Sequence, residues 1–167
     1  MLMNYKDKKL KVHHESFIAH DADIIGDVVI GEKSSVWFGV IIRGDVNNIT
    51  IGRYTNIQDG TVIHCSNIYQ TIIGDYVTVG HKAVIHGCKI GNNTLIGMGA
   101  IILDGAEIGD NVIVGAGSIV TERKRIPSNS LVLGAPAKVV RELTEEEIEK
   151  LRESAIHYWE LAQEYIK

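Results

Sequence analysis

The stretch Ile90-Gly-Asn-Asn-Thr-Leu-Ile96-Gly-Met-Gly-Ala-Ile-Ile102-Leu-Asp-Gly-Ala-Glu-Ile108-Gly-Asp-Asn-Val-Ile-Val114-Gly-Ala-Gly-Ser-Ile-Val120-Thr-Glu-Arg-Lys-Arg-Ile126 carries Ile or Val at every sixth position. Upstream, the spacing recurs as Ile18, Ile24, Ile30, Val36, Ile42, then Ile51, Ile57, Ile63, then Ile73, Val79, Ile85. All 18 positions are Ile or Val, although these residues make up only about a quarter of the chain. Glycine follows in eight of the 18 cases, and the residue two before is mostly small or β-branched. Each hexad therefore has one large inward aliphatic, one smaller inward residue and a corner. A helix needs a period near 3.6, which six does not supply. The period is that of a parallel β-helix.

Eighteen hexads at three to a triangular coil predict about six coils, stacked at the strand spacing of about 4.8 Å. The chain is thus expected to be mainly β, a β-helix over residues 1–140 with repeats from about 18 to 131. Residues 141–167 are expected to form a C-terminal α-helix. There Thr144-Glu145-Glu146-Glu147 reads as a capping box. Ile148, Leu151, Ala155, Tyr158/Trp159 and Ala162 follow at helical spacing. The helix should pack on the coil or on a neighbouring subunit.

Composition narrows the function. The chain has 167 residues, 17 Lys and Arg against 21 Asp and Glu, and a net charge of −4. That argues against a nucleic-acid partner. The apolar runs are too short for a membrane span, and the first residues lack the apolar core of a signal peptide. Two cysteines make no disulfide framework. A cytoplasmic enzyme or binding protein is the expectation.

The phase breaks point to a site. Ile42 to Ile51 is three residues over a hexad, Ile63 to Ile73 four over, and Ile85 to Ile90 one under. Insertions in a solenoid become external loops, often at the binding face. Correcting for them, Arg43, His64 and His86 are separated by whole coils and form one vertical column. Two imidazoles one coil apart can converge on an ion with metal–nitrogen bonds of about 2.0–2.1 Å. His81 lies five residues before His86, a reach of about 16 Å when extended. A three-histidine site therefore takes His81 from a second subunit, and closed repetition gives a trimer. The other four histidines read as surface or capping residues.

Arg43-Gly44-Asp45, Gln58-Asp59, His64 and His81-x4-His86 resemble the γ-class carbonic anhydrases of the hexapeptide-repeat superfamily, over nearly the whole chain. The resemblance implies a left-handed coil. It implies a homotrimer with Zn2+ (or Fe2+ or Co2+) held by His64, His81 and His86 between subunits. It further implies an Arg43–Asp45 ion pair across the interface, with Gln58 orienting the reacting oxygens and Asp59 supporting it. The activity implied is reversible hydration of carbon dioxide to bicarbonate by a metal-bound hydroxide. The archaeal prototype carries glutamates on an acidic loop. Here that loop reads Cys65-Ser66-Asn67-Ile68-Tyr69-Gln70, and Val46 follows Asp45. The proton shuttle is therefore absent or moved, which predicts weak turnover, and Tyr158 is a candidate replacement. Alternative readings are a non-catalytic metal-binding accessory protein and a hexapeptide-repeat acyltransferase or thioesterase. Cys88 occupies the small inward slot and reads as core. Cys65 should point away from His64.

Overall fold

The computed structural model describes residues 1–166 and is a parallel β-solenoid of about seven turns with one C-terminal helix. Three strand columns make its faces. One runs through Asp23–Ile30, Ile41–Ile51, Val62–His64, Val84–His86, Ile101–Ile102 and Ile119–Val120. The second shares the two long strands and continues through Thr71–Ile73, Lys89–Ile90, Glu107–Ile108 and Arg125–Ile126. The third runs from Phe17–Ile18 through Ser35–Val36, Asn56–Ile57, Thr78–Val79, Leu95–Ile96 and Ile113–Val114 to Ser130–Leu133.

The inward aliphatics register on one another. Ile42 pairs with Ile63, Ile63 with Ile85, and Ile85 with Ile102. All four are fully buried. Burying an isoleucine side chain contributes about 1.5–3 kcal/mol, so these ladders are the main source of stability. The count of six coils falls one short. The repeat extends outward by one hexad at each end, to Val12 and Val132, which pair with Ile30 and Val114.

The two insertions differ. The first is absorbed into the eleven-residue strand Ile41–Ile51, which turns a corner without leaving the sheet. It forms no external loop, because the preceding coil has its own long strand, Asp23–Ile30, with an irregularity between Gly26 and Val28 to match. The second insertion does form a loop, over residues 65–70.

The helix spans Glu145–Tyr165, and the Thr144 hydroxyl and Glu147 carboxylate complete the capping box. It packs on the third face. Asn93 Nδ2 donates to Ile148 O at 3.1 Å, and the Arg152 guanidinium sits 4.0 Å above the Tyr76 ring. Farther along, Tyr158 and Tyr165 pack edge-on to Trp37. These contacts hang Tyr158 over the face that carries Gln58.

Candidate metal centre

Arg43, His64 and His86 occupy consecutive rungs, Arg43 opposite His64 and His64 opposite His86. Each follows a buried isoleucine, so strand alternation turns each outward. His64 Nδ1 lies 3.0 Å from His86 Nε2. The outer nitrogens face carboxylates. His64 Nε2 is 2.9 Å from Asp45 Oδ1, and His86 Nδ1 is 2.5 Å from Asp104 Oδ1. Only an N–H donates to a carboxylate; protons on the outer positions satisfy both carboxylates and leave the inner nitrogens facing one another, the form that would receive an ion between them.

Asp45 also accepts from the Arg43 guanidinium of its own chain. Within one chain the two meet because residues two apart on a strand project to the same side. Burial pushes the Asp45 carboxyl upward, but hydrogen bonds from His64 and Arg43 outweigh it and hold the group below its ordinary value.

His81 stands at another corner, its Nδ1 2.9 Å from Asp59 Oδ2. It shares a cavity of about 410 Å3 with Gln58 and Tyr158. Gln58 is buried, and its Nε2 donates to Asn56 Oδ1 at 3.1 Å. Asn56 Nδ2 in turn donates to Thr78 Oγ1 at 2.9 Å. This relay fixes the amide and leaves Gln58 Oε1 as an acceptor. Burial, then the Asp59 charge, raises the Tyr158 phenol above its ordinary value. Tyr158 is therefore a hydrogen-bond donor at neutral pH. Among the described residues, one chain brings no three His, Cys, Asp or Glu side chains together around one point.

The donor set fits a metal. Two nitrogens on one tetrahedral ion, with bonds of 2.0–2.1 Å, stand about 3.3 Å apart. The inner nitrogens of His64 and His86 are already 3.0 Å apart. All three histidines have a carboxylate on one nitrogen, the arrangement that orients histidine ligands in metal sites. The Asp59 contact takes Nδ1 of His81 and leaves Nε2 outside it.

Sequence reasoning passed over Asp104 and Asn56. Asp104 lies 18 residues after His86, one more than the 17 that separate the paired Ile85 and Ile102, so the arithmetic that joined His64 to His86 lands on Leu103 instead. Asn56 sits two before Gln58 and directs it. Cys65 and Cys88 are both buried in the core, as expected, and burial pushes Cys88 up to about 12.

Comparison with known proteins narrows the family. Residues 87–122 match the bacterial transferase hexapeptide family model, and residues 70–102 match the hexapeptide repeat of succinyl-transferase. A protein of Methanocaldococcus jannaschii named "Probable carbonic anhydrase" is 65% identical over 87% of this chain and 92% of its own length. The mitochondrial gamma carbonic anhydrase 2 of Arabidopsis thaliana is 48% identical over 97% of the chain, which spans 60% of that longer relative. A solved structure of a hexapeptide transferase family protein from Anaplasma phagocytophilum is 44% identical, with TM-score 0.94, covering 98% of this chain and 97% of that one. The chain belongs to the γ-class carbonic anhydrase-like family of hexapeptide-repeat proteins.

Proposed function

We propose that the chain is a carbonic anhydrase, hydrating carbon dioxide reversibly at a divalent metal shared between subunits of a homotrimer. His64 and His86 of one subunit would hold the ion together with His81 of the next. The 3.0 Å contact between their inner nitrogens, backed on both sides by carboxylates, carries this reading. The names of the relatives support the reaction. The trimer draws support from the surface beside the column, where Ile41, Val62 and Val84 stack as an outward ladder at 40%, 38% and 36% exposure. Such a strip next to half a site suits burial against another copy. The half-sites lie at different corners, so the contact is head-to-tail, and a three-fold rotation would close it into a ring.

Neutral imidazoles suit zinc, iron and cobalt alike. When bound, the ion supplies Lewis acidity, lowering the pKa of a water to about 7, the value characteristic of carbonic anhydrase. Gln58 Oε1 accepts a hydrogen bond from the reacting oxygen, and the Asn56–Thr78 relay keeps it aimed. The Tyr158 hydroxyl donates to the bicarbonate that forms. Asp59 holds the His81 ring. Asp45, itself clamped by Arg43, holds His64. Hydration yields bicarbonate and one proton, and the 65–70 loop offers no carboxylate or imidazole to take it. Solvent buffer therefore removes the proton.

The test is carbon dioxide hydration on anaerobically purified protein, with elemental analysis of the same sample. Hydration in proportion to bound metal is expected. No hydration at full occupancy would overturn the enzyme and favour the accessory protein. A metal-free protein that transfers acyl groups would favour the acyltransferase.

A further inference from the structure

Residues 65–70 form a tight turn beside His86. Ser66 N donates to Tyr69 O at 2.9 Å, Tyr69 N donates to Ser66 Oγ at 3.0 Å, and Asn47 Nδ2 donates to Ser66 O at 3.0 Å. This lays Tyr69 across Gly87 and Gly105, its Cβ at the first and its ring at the second; the two glycines have φ of +54° and +69°. Positive φ alone does not call for glycine in this fold, since Lys33, Tyr54, Asn93 and Arg123, among others, adopt it. Space does. A β-carbon on Gly105 would stand 3.0 Å from Cε1 and Cζ of Tyr69 and 3.0 Å from Cγ of Arg123, a flexible side chain that can give way more readily than the ring. One on Gly87 would overlap Asp104 Oδ1 and stand 3.1 Å from Tyr69 Cβ. At Gly117, with φ +65°, a β-carbon meets nothing within 4 Å. The two missing β-carbons leave a recess, filled by Tyr69, the Arg123 stem and the Asp104 carboxylate that faces His86 Nδ1.

We propose that Tyr69 is a positioning residue that, with its Cβ against Gly87 and its ring on Gly105, closes the corner around Asp104 and holds that carboxylate on His86 Nδ1. This rests on the reading of His86 as a metal ligand. Asp104 fixes the His86 proton on Nδ1 and frees Nε2 toward His64. A free neutral imidazole favours the opposite tautomer, so the position of the proton reports the clamp. The contact is made by the ring and not by the hydroxyl.

The experiment is nitrogen NMR of metal-free protein labelled with 15N-histidine, at mildly alkaline pH, with zinc affinity from chelator competition alongside. Wild type and Tyr69→Phe should hold the His86 proton on Nδ1. Tyr69→Ala and Gly105→Ala should show mixed tautomers and a zinc dissociation constant raised about ten-fold, within the range for lost outer partners of a ligand. Gly117→Ala carries the same backbone cost and should change neither. Gly87→Ala reaches the carboxylate from the other side and serves where Tyr69→Ala does not fold. An unchanged His86 tautomer and zinc affinity in Tyr69→Ala would overturn the proposal. If wild type takes up no zinc, the metal reading fails, and the nitrogen spectrum alone decides on the clamp.

Discussion

His64 and His86 face each other across one coil of the solenoid, Nδ1 to Nε2 at 3.0 Å, each with its other nitrogen on a carboxylate. The pair is pre-aimed by its backbone. Ile63 and Ile85 are fully buried and paired in register, so neither strand can shift without moving both aliphatics.

That coupling makes the core a determinant of the site. Ile63→Ala and Ile85→Ala should each cost about 2–5 kcal/mol, the range for truncating a buried isoleucine. Chemical denaturation of the apo protein measures the loss. A cost below about 1 kcal/mol would mean that the ladder does not fix the register.

Proton export should limit turnover. The 65–70 loop carries no carboxylate. Stopped-flow hydration should show kcat rising with the concentration of an imidazole-type buffer, while kcat/KM stays constant. Asn67→Glu should raise kcat at low buffer. A kcat independent of buffer would show that a group in the protein already carries the proton.

Tyr158 should contribute a hydrogen bond and no titration. Tyr158→Phe is expected to lower kcat/KM by roughly two- to twelve-fold, the equivalent of a net hydrogen bond of about 0.5–1.5 kcal/mol. The shape of the pH profile near neutrality should not change, because burial holds the phenol above its ordinary value. A limb of the profile that disappears in Tyr158→Phe would contradict this.

The helix cap should show a defined pH dependence. The Glu147 carboxyl is lowered to about 2, first by its hydrogen bonds to Arg141 and then by the Thr144 backbone N–H. A carboxyl depressed on folding stabilises the fold above its unfolded value near 4.5. That contribution fades as pH falls through about 2. Thermal melts of wild type and Glu147→Gln should therefore differ at neutral pH and converge in acid. Thr144→Ala should cost about 1 kcal/mol at neutral pH.

Much of this was legible in the sequence because inward aliphatics have no freedom. Every sixth residue must fill the same interior, so the period survives, and subtracting the insertions put Arg43, His64 and His86 in one column. The ends of the coil were harder to see, since Val12 and Val132 lie in segments with little other repeat character. Corners are less constrained still. Lys, Tyr, Asn, Arg and Gly all adopt positive φ there, so Gly87 and Gly105 look like any other corner glycines until Tyr69 is seen against them. The first insertion looked like a loop because strand continuity depends on the coil beneath it and not on local composition. Asp104 was missed because it sits two after its aliphatic, Ile102, whereas His64 and His86 sit one after theirs.

Mixing two inactive subunits tests the shared metal centre most directly. His81→Ala keeps the His64–His86 half-site, and His64→Ala keeps His81. Neither alone should retain metal. In a mixed ring of three, one interface joins the intact half-site of the first variant to the His81 of the second. Unfolding and refolding equal amounts together should therefore restore about a quarter of wild-type metal and hydration activity, in an assembly of about 55 kDa, three times the 18.4 kDa chain. No recovery of metal in mixed trimers, or full metal content in either variant alone, would contradict the account.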